Sequence, residues 1–176
     1  RFTVAEIDAM VEAGIVDEHE RFELIGGEAV PMAAKGYVHE RLKNTLNIYW
    51  ARRLPDDIRF GLETTFRMSV DTFIEPDFVF WRTTAGLANL KPATALLAVE
   101  VADTSLGWDL GRKAMVYAAH EVREVWVINA KTLVTHILEK PTTKGYATKR
   151  RVGPKKPLIP HFAPGLAVSL DRLELV

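Results

Sequence analysis

A single carboxylate, Glu100, interrupts the run LLAVEVA at positions 96–102, which is otherwise apolar enough for a strand covered on both faces. An ionised carboxylate buried without a partner is so unfavourable that it would neutralise instead. A chain that folds around this strand must therefore supply compensation for Glu100. A basic side chain, a proton held at a raised pKa or a metal ion would each serve, and the rest of the sequence bears on the choice.

At 176 residues, 48% of them hydrophobic, the chain is expected to form a single domain over 1–176 with an ample core. It has no cysteine, which removes disulfides, thiolate chemistry and zinc ribbons, and suits a reducing cytoplasm. The histidines at 19, 39, 120, 136 and 161 show no HExxH pairing, so catalytic zinc is not expected. No run of eighteen apolar residues is available to span a membrane. The first residue is Arg1 and not methionine, which leaves an export signal open.

Periodicity predicts the elements. Thr3 and Glu6 have capping-box spacing, Phe2 and Ile7 suit a hydrophobic staple, and Gly14 stands where a short helix would stop. RFELIGGEAVPM predicts two strands around a Gly26-Gly27 turn. Val38, Leu42, Leu46, Tyr49 and Trp50 recur at helical spacing, predicting a helix from Val38 to Leu54 that Pro55 ends. Alternation from Ile58 to Val70 predicts one long half-buried strand, and Phe73–Trp81 and Leu96–Ala102 two more. A helix over Asp109–His120, a strand over Val125–Asn129 and a hairpin from Leu133 to Val152 complete the order. The expected class is α+β or mixed α/β, with a central mixed sheet, flanking helices and added hairpins.

Asp77, in IEPDFVF, is a second carboxylate inside an apolar run. If the two strands are neighbours and Asp77 and Glu100 share one end, each raises the other's pKa, and a divalent cation relieves the conflict. Carboxylates and backbone carbonyls are the donors that Mg²⁺ takes, usually keeping several waters. Asp beside a proline is equally at home as a turn or cap residue. Asp109 and Lys113, four apart, would ordinarily be a surface ion pair worth a few tenths of a kcal/mol. Directly after the Glu100 strand, the same spacing can aim an ammonium back at the strand end.

The block EPDFVF followed by LLAVEVADTSLGWDLGRKAMVYAAHEVREVWVIN resembles the Uma family of putative restriction endonucleases, a branch of the PD-(D/E)XK nuclease superfamily. RFELIGGEAVPM and the helix around His39 resemble that family's opening, so the likeness covers nearly the whole chain. It implies a restriction-endonuclease-like core and Mg²⁺- or Mn²⁺-dependent cleavage of DNA phosphodiesters, leaving 5′-phosphate and 3′-hydroxyl ends. Asp77 would be the metal-binding aspartate, Glu100 the acidic member of the (D/E)XK element, and the Val101 carbonyl a further ligand. The sequence departs from the general pattern at Ala102, where the superfamily usually has lysine. The Uma branch resembles a migrated version in which Lys113 reaches in from the next helix, with Asp109 to orient it.

Glu23 and His39 are possible supports. Glu23 suits water-mediated binding of a second ion or a solvated hairpin, and His39 suits phosphate contact or a plain helix start. Glu63 alternates onto the polar side of its strand, which predicts a surface role, while Tyr117 and Trp126 read as core. The formal net charge of zero conceals a basic stretch: residues 131–160 carry eight Lys or Arg and one acidic residue, Glu139. Lys149, Arg150 and Arg151 within it are candidate DNA-phosphate contacts, although a solvated hairpin accounts for them equally well. The expected partners are DNA and, because cutting two strands favours two sites, a second copy of the chain. A non-catalytic nucleic-acid-binding or interaction protein keeping the nuclease fold is the main alternative. A hydrolase of small phosphoesters is a third.

Overall fold

Thr3 begins α1 (Val4–Glu12) with the expected capping box: its hydroxyl accepts from the Glu6 amide, and the Glu6 carboxylate accepts from the Thr3 amide at 2.7 Å. Val4 and Ile7 of this helix meet Leu24 and Phe73 in a small core. The computed structural model describes residues 1–17 and 19–175; Glu18 and Val176 lie outside the described residues. Next come β1 (Phe22–Ile25) and β2 (Glu28–Pro31), joined at Gly26 and Gly27, whose φ angles are 59° and 79°. At Gly27 an added Cβ would also lie 2.8 Å from the Arg1 Cβ, so both backbone and space require glycine. Helix α2 spans Tyr37–Ala51 and so ends before Leu54, with Arg52 as its cap.

The long strand expected over Ile58–Val70 is two strands in two different sheets: β3 (Ile58–Leu62) and β4 (Phe66–Ser69). Alternation reports a pleat but not where the chain leaves a sheet. Glu63 turns the chain at φ 47°, in the left-handed region, and the Thr64 side chain folds back over Gly61, where a Cβ would sit 2.0 Å from its Oγ1. Phe73–Trp81 likewise divides into β5 (Thr72–Ile74) and β6 (Phe78–Arg82). Pro76 between them has no amide to continue a ladder. Then follow β7 (Ala95–Ala102), α3 (Leu106–Trp108), a π-helical turn at Asp109–Lys113 and α4 (Ala114–Ala119). The helical stretch thus starts before Asp109. The remaining strands, β8 (Glu124–Asn129), β9 (Thr135–Thr142) and β10 (Gly145–Val152), match the expected strand and hairpin.

The smaller sheet has the order β2-β1-β5-β4 and the larger β10-β9-β8-β7-β6-β3. Within the larger sheet, β7 and β8 are parallel and the other pairs antiparallel. A parallel pair needs a long crossover, and the stretch containing α3, the π turn and α4 supplies it. All of β7 is buried. Leu97, Val99 and Val101 join Leu42, Leu46 and Trp50 of α2 on one face. Ala98 and Ala102 join Tyr117 and Ala118 of α4 on the other, so strand alternation puts Glu100 on the α4 face. The architecture is the expected α+β one, a mixed sheet flanked by helices. No helix among the described residues is long and apolar enough to cross a membrane.

Candidate active site

The two direct strand-to-strand crossings between the sheets, through Glu63 and through Glu75-Pro76-Asp77, fall at one end of β7. In the antiparallel register of β6 and β7, Phe78 pairs with Val99, and one further step sets Asp77 opposite Glu100. Asp77 is buried, and its carboxylate accepts from the Val101 amide at 2.7 Å and from Lys35 Nζ at 2.9 Å. His39 Nε2 lies 3.0 Å from Oδ1. Burial pushes the Asp77 carboxyl up, but the His39 contact, the Lys35 charge and the Val101 amide outweigh it and hold the group below its ordinary value.

Glu100 is only 4% exposed, and burial is the main force on it. The Tyr117 hydroxyl donates to its Oε1 at 2.5 Å, and Lys113 Nζ stands 2.9 Å from the same oxygen. Lys113 also binds Glu23 at 2.7 Å. One ammonium is thereby shared between two carboxylates, with Asp109 and Asp77 nearby. Burial, opposed by Lys113 and reinforced by Asp109, Asp77 and Glu23, pushes Glu100 up to about 8. Lys113 responds oppositely: burial disfavours its charge, but Glu100 and Glu23 more than reverse this and strengthen its hold on the proton. Glu100 is thus raised chiefly by burial, and Lys113 by the two carboxylates that hold it.

Asp77, Glu100, Lys113, Asp109, Glu23, His39 and Val101 all line one cleft of about 330 Å³. The expected orienting role of Asp109 finds no direct contact behind it. Asp109 accepts from Ser105 Oγ at 2.6 Å, and the partner that aims Lys113 at Glu100 is Glu23. Glu23 in turn accepts from the Glu75 amide at 3.0 Å, which ties β1 to the second crossing. The π turn supplies both Asp109 and Lys113, and such turns inside α-helices are frequent at functional sites.

Sequence reasoning missed a second set of groups. Glu63, expected at the surface, is half-buried: it pairs with Lys35, and Lys43 Nζ donates to it at 2.5 Å and to Glu40 at 2.8 Å. Burial pushes Glu63 up, but its hydrogen bonds from Lys35 and Lys43 outweigh this and hold it at about 2. His39 and Lys43, one helical turn apart on α2 and both buried, form a signal that was legible in the sequence. For Lys35, in a loop without periodicity, no such signal exists. Tyr117 is core, as expected, yet its hydroxyl also serves Glu100.

Lys149, Arg150 and Arg151 are exposed on β10 and do not line the cleft. Arg150 binds Glu139 at 3.1 Å. Arg151 stands in a cross-strand row that runs from Glu100 to Val127, His136 and Arg151, three strands across the sheet. Lys149, two residues from Arg151, leaves the same face.

The architecture is similar to that of a crystal structure described as a putative nuclease belonging to DUF820, from Anabaena variabilis ATCC 29413. The TM-score is 0.69 at 15% identity, over 97% of this chain and 96% of that one. Among curated proteins none matches. The family model for Uma2, described as putative restriction endonuclease, matches residues 5–171, a span that takes in every group lining the cleft from Glu23 to Lys113, and the chain belongs to this family.

Proposed function

We propose that the protein is a metal-dependent endonuclease that hydrolyses DNA phosphodiester bonds at this cleft. The observation that carries the reading is the meeting of two buried carboxylates, Asp77 and Glu100, and the Val101 backbone in one solvent-connected cleft, where burial and neighbouring carboxylates raise Glu100. Such a site gains by admitting a cation. Among the described residues, no group of three or more His, Cys, Asp or Glu side chains is arranged to hold a metal by itself. Two carboxylates, Asp77 and Glu100, with the Val101 carbonyl and water are nonetheless the hard oxygen donors that fit Mg²⁺ or Mn²⁺. Bound there, the ion would polarise the phosphate and lower the pKa of the attacking water.

The chain's own groups do the rest. Lys113, fixed between Glu23 and Glu100, presents an ammonium to the charge that gathers on the phosphoryl oxygens. Tyr117 and Lys113 together fix the Glu100 carboxylate. His39 and the Val101 amide fix Asp77. Supercoiled plasmid, single-stranded DNA and a small chromogenic phosphodiester, each with and without Mn²⁺, test the assignment. The expected result is Mn²⁺-dependent nicking of plasmid. Cleavage of the small ester alone would make this a phosphoesterase, and binding of DNA without any cleavage would make it a binding protein. A homodimer working in the cytoplasm is the assembly this reading favours, since two sites suit two strands.

DNA affinity is expected to draw on β10. Neutralising Lys149, Arg150 and Arg151 together should flatten the dependence of log K on log salt by roughly 0.9 per lost phosphate contact on duplex DNA. Lys149 and Arg151 should account for most of the change, because Arg150 already has Glu139 as a partner. An unchanged slope in a binding titration would leave this strand as a solvated edge.

A further inference from the structure

Lys35 belongs to the stretch between β2 and α2, which lines the cleft. Its Nζ lies 2.9 Å from Asp77 Oδ1, and its other partner is Glu63. Its side chain is 15% exposed, so the contact is covered but open to solvent on one side. An ammonium in that position makes the contact with Asp77 that a divalent cation needs. We propose that Lys35 is a displaceable internal cation, which occupies Asp77 when no metal is bound and must leave it before the ion can bind. This rests on the metal-dependent reading above.

Three observations make the displacement feasible. Lys35 is carried by a loop outside any ladder, so its movement breaks no strand pairing. Glu63 already holds the same ammonium, so the lysine that leaves Asp77 keeps a partner. His39 and the Val101 amide remain on Asp77, so the carboxylate keeps its position when Lys35 departs. Lys43 is a natural control. It binds Glu63 and Glu40 in the same charged cluster, but Asp77 is not among its partners.

The test is Mn²⁺ binding to the full chain by calorimetry, together with backbone hydrogen exchange over residues 32–36. Lys35→Met removes the ammonium and keeps the stem, and is expected to bind Mn²⁺ roughly tenfold or more tightly, as for relief of one charge-assisted hydrogen bond. Lys43→Met should change the affinity by less than about threefold, since Lys43 has no contact with Asp77 and acts on it only from beyond Glu63, where the Coulomb interaction has fallen with distance. In the wild type, Mn²⁺ should speed exchange in the loop; in Lys35→Met exchange should be fast with or without the ion. Equal tightening by the two variants, no tightening by Lys35→Met, or slower wild-type loop exchange with Mn²⁺ would each overturn the displacement. Failure of all three proteins to bind Mn²⁺ would instead remove the metal-dependent reading itself, and the displacement with it. The exchange arm on the wild type stands whether or not the variants fold.

Discussion

Replacing Lys113 with alanine is expected to lower Mn²⁺-dependent nicking of supercoiled plasmid by about 10² to 10⁴, the range for losing a positioned charge-stabilising or proton-transfer group. The expectation follows from an ammonium that is 4% exposed and held at hydrogen-bond distance by Glu23 and Glu100. Removing one partner of a buried ion pair ordinarily costs about 3 to 5 kcal/mol. Here Glu100, pushed up to about 8, already favours its neutral form near pH 7, which lowers that cost. Lys113→Met, which retains the apolar stem, should show the same kinetic loss with a smaller loss of stability. Adding Ala102→Lys to Lys113→Ala should restore part of the rate, because residues 100 and 102 leave the same face of β7. Restoration should be incomplete: Ala102 is fully buried against α4, and overpacking costs about 1 to 3 kcal/mol. Single-turnover nicking by the four proteins of this cycle is the measurement. Wild-type cleavage by a folded Lys113→Ala protein would remove Lys113 from the chemistry.

The second large effect is on stability against pH in metal-free protein. Glu100 is pushed up to about 8 in the folded state from an ordinary value of 4.5. Between these values the native state binds the extra proton and the unfolded state does not, so stability falls as pH rises through this window. The contribution is complete below about 4.5 and gone above about 8. Its size is on the order of a few kcal/mol. Asp109, raised by burial, adds in the same direction. Glu63 works oppositely: held at about 2, it contributes above its ordinary value of 4.5 and is lost as pH falls toward 2. Thermal unfolding from pH 5 to 8 should therefore show declining stability in chelator, and a much shallower decline in Mn²⁺, because a bound ion favours the ionised carboxylate. Glu100→Gln should flatten the chelator curve and lose the Mn²⁺ effect. If the variant and the wild type give parallel curves in both conditions, Glu100 neither holds the proton nor meets the ion.

Local chemistry that stands close together in the chain was the most legible part of the molecule. The Thr3 capping box, the Gly26-Gly27 hairpin and the buried LLAVEVA strand each follow from a few adjacent residues. So does the approach of Lys113 to Glu100, because the helical crossover starts where that strand ends and must pack back over it. The departure of Glu63 from its strand was not legible. A two-residue period looks the same whether five residues or all thirteen share one sheet, and only tertiary pairing decides where the ladder ends. That error misplaced Glu63 on the surface, and with it went the cluster of Lys35 and Lys43. Glu23 illustrates the same limit. Its segment was visible as a hairpin, but the docking of that hairpin beside the crossover was a long-range event.

The shared ammonium has a thermodynamic corollary. Glu23 belongs to the smaller sheet and Glu100 to the larger, and Lys113 joins them. How firmly the two sheets are closed on each other and how strongly the cleft favours a cation are therefore linked variables. Linkage is reciprocal: whatever factor sheet closure contributes to cation affinity, the cation returns to sheet closure. Helix α1, packed on the side of β1 through Val4, Ile7 and Leu24 and absent from the cleft lining, thereby becomes a handle on cation affinity, and a molecule gripping it would act as an effector without entering the cleft.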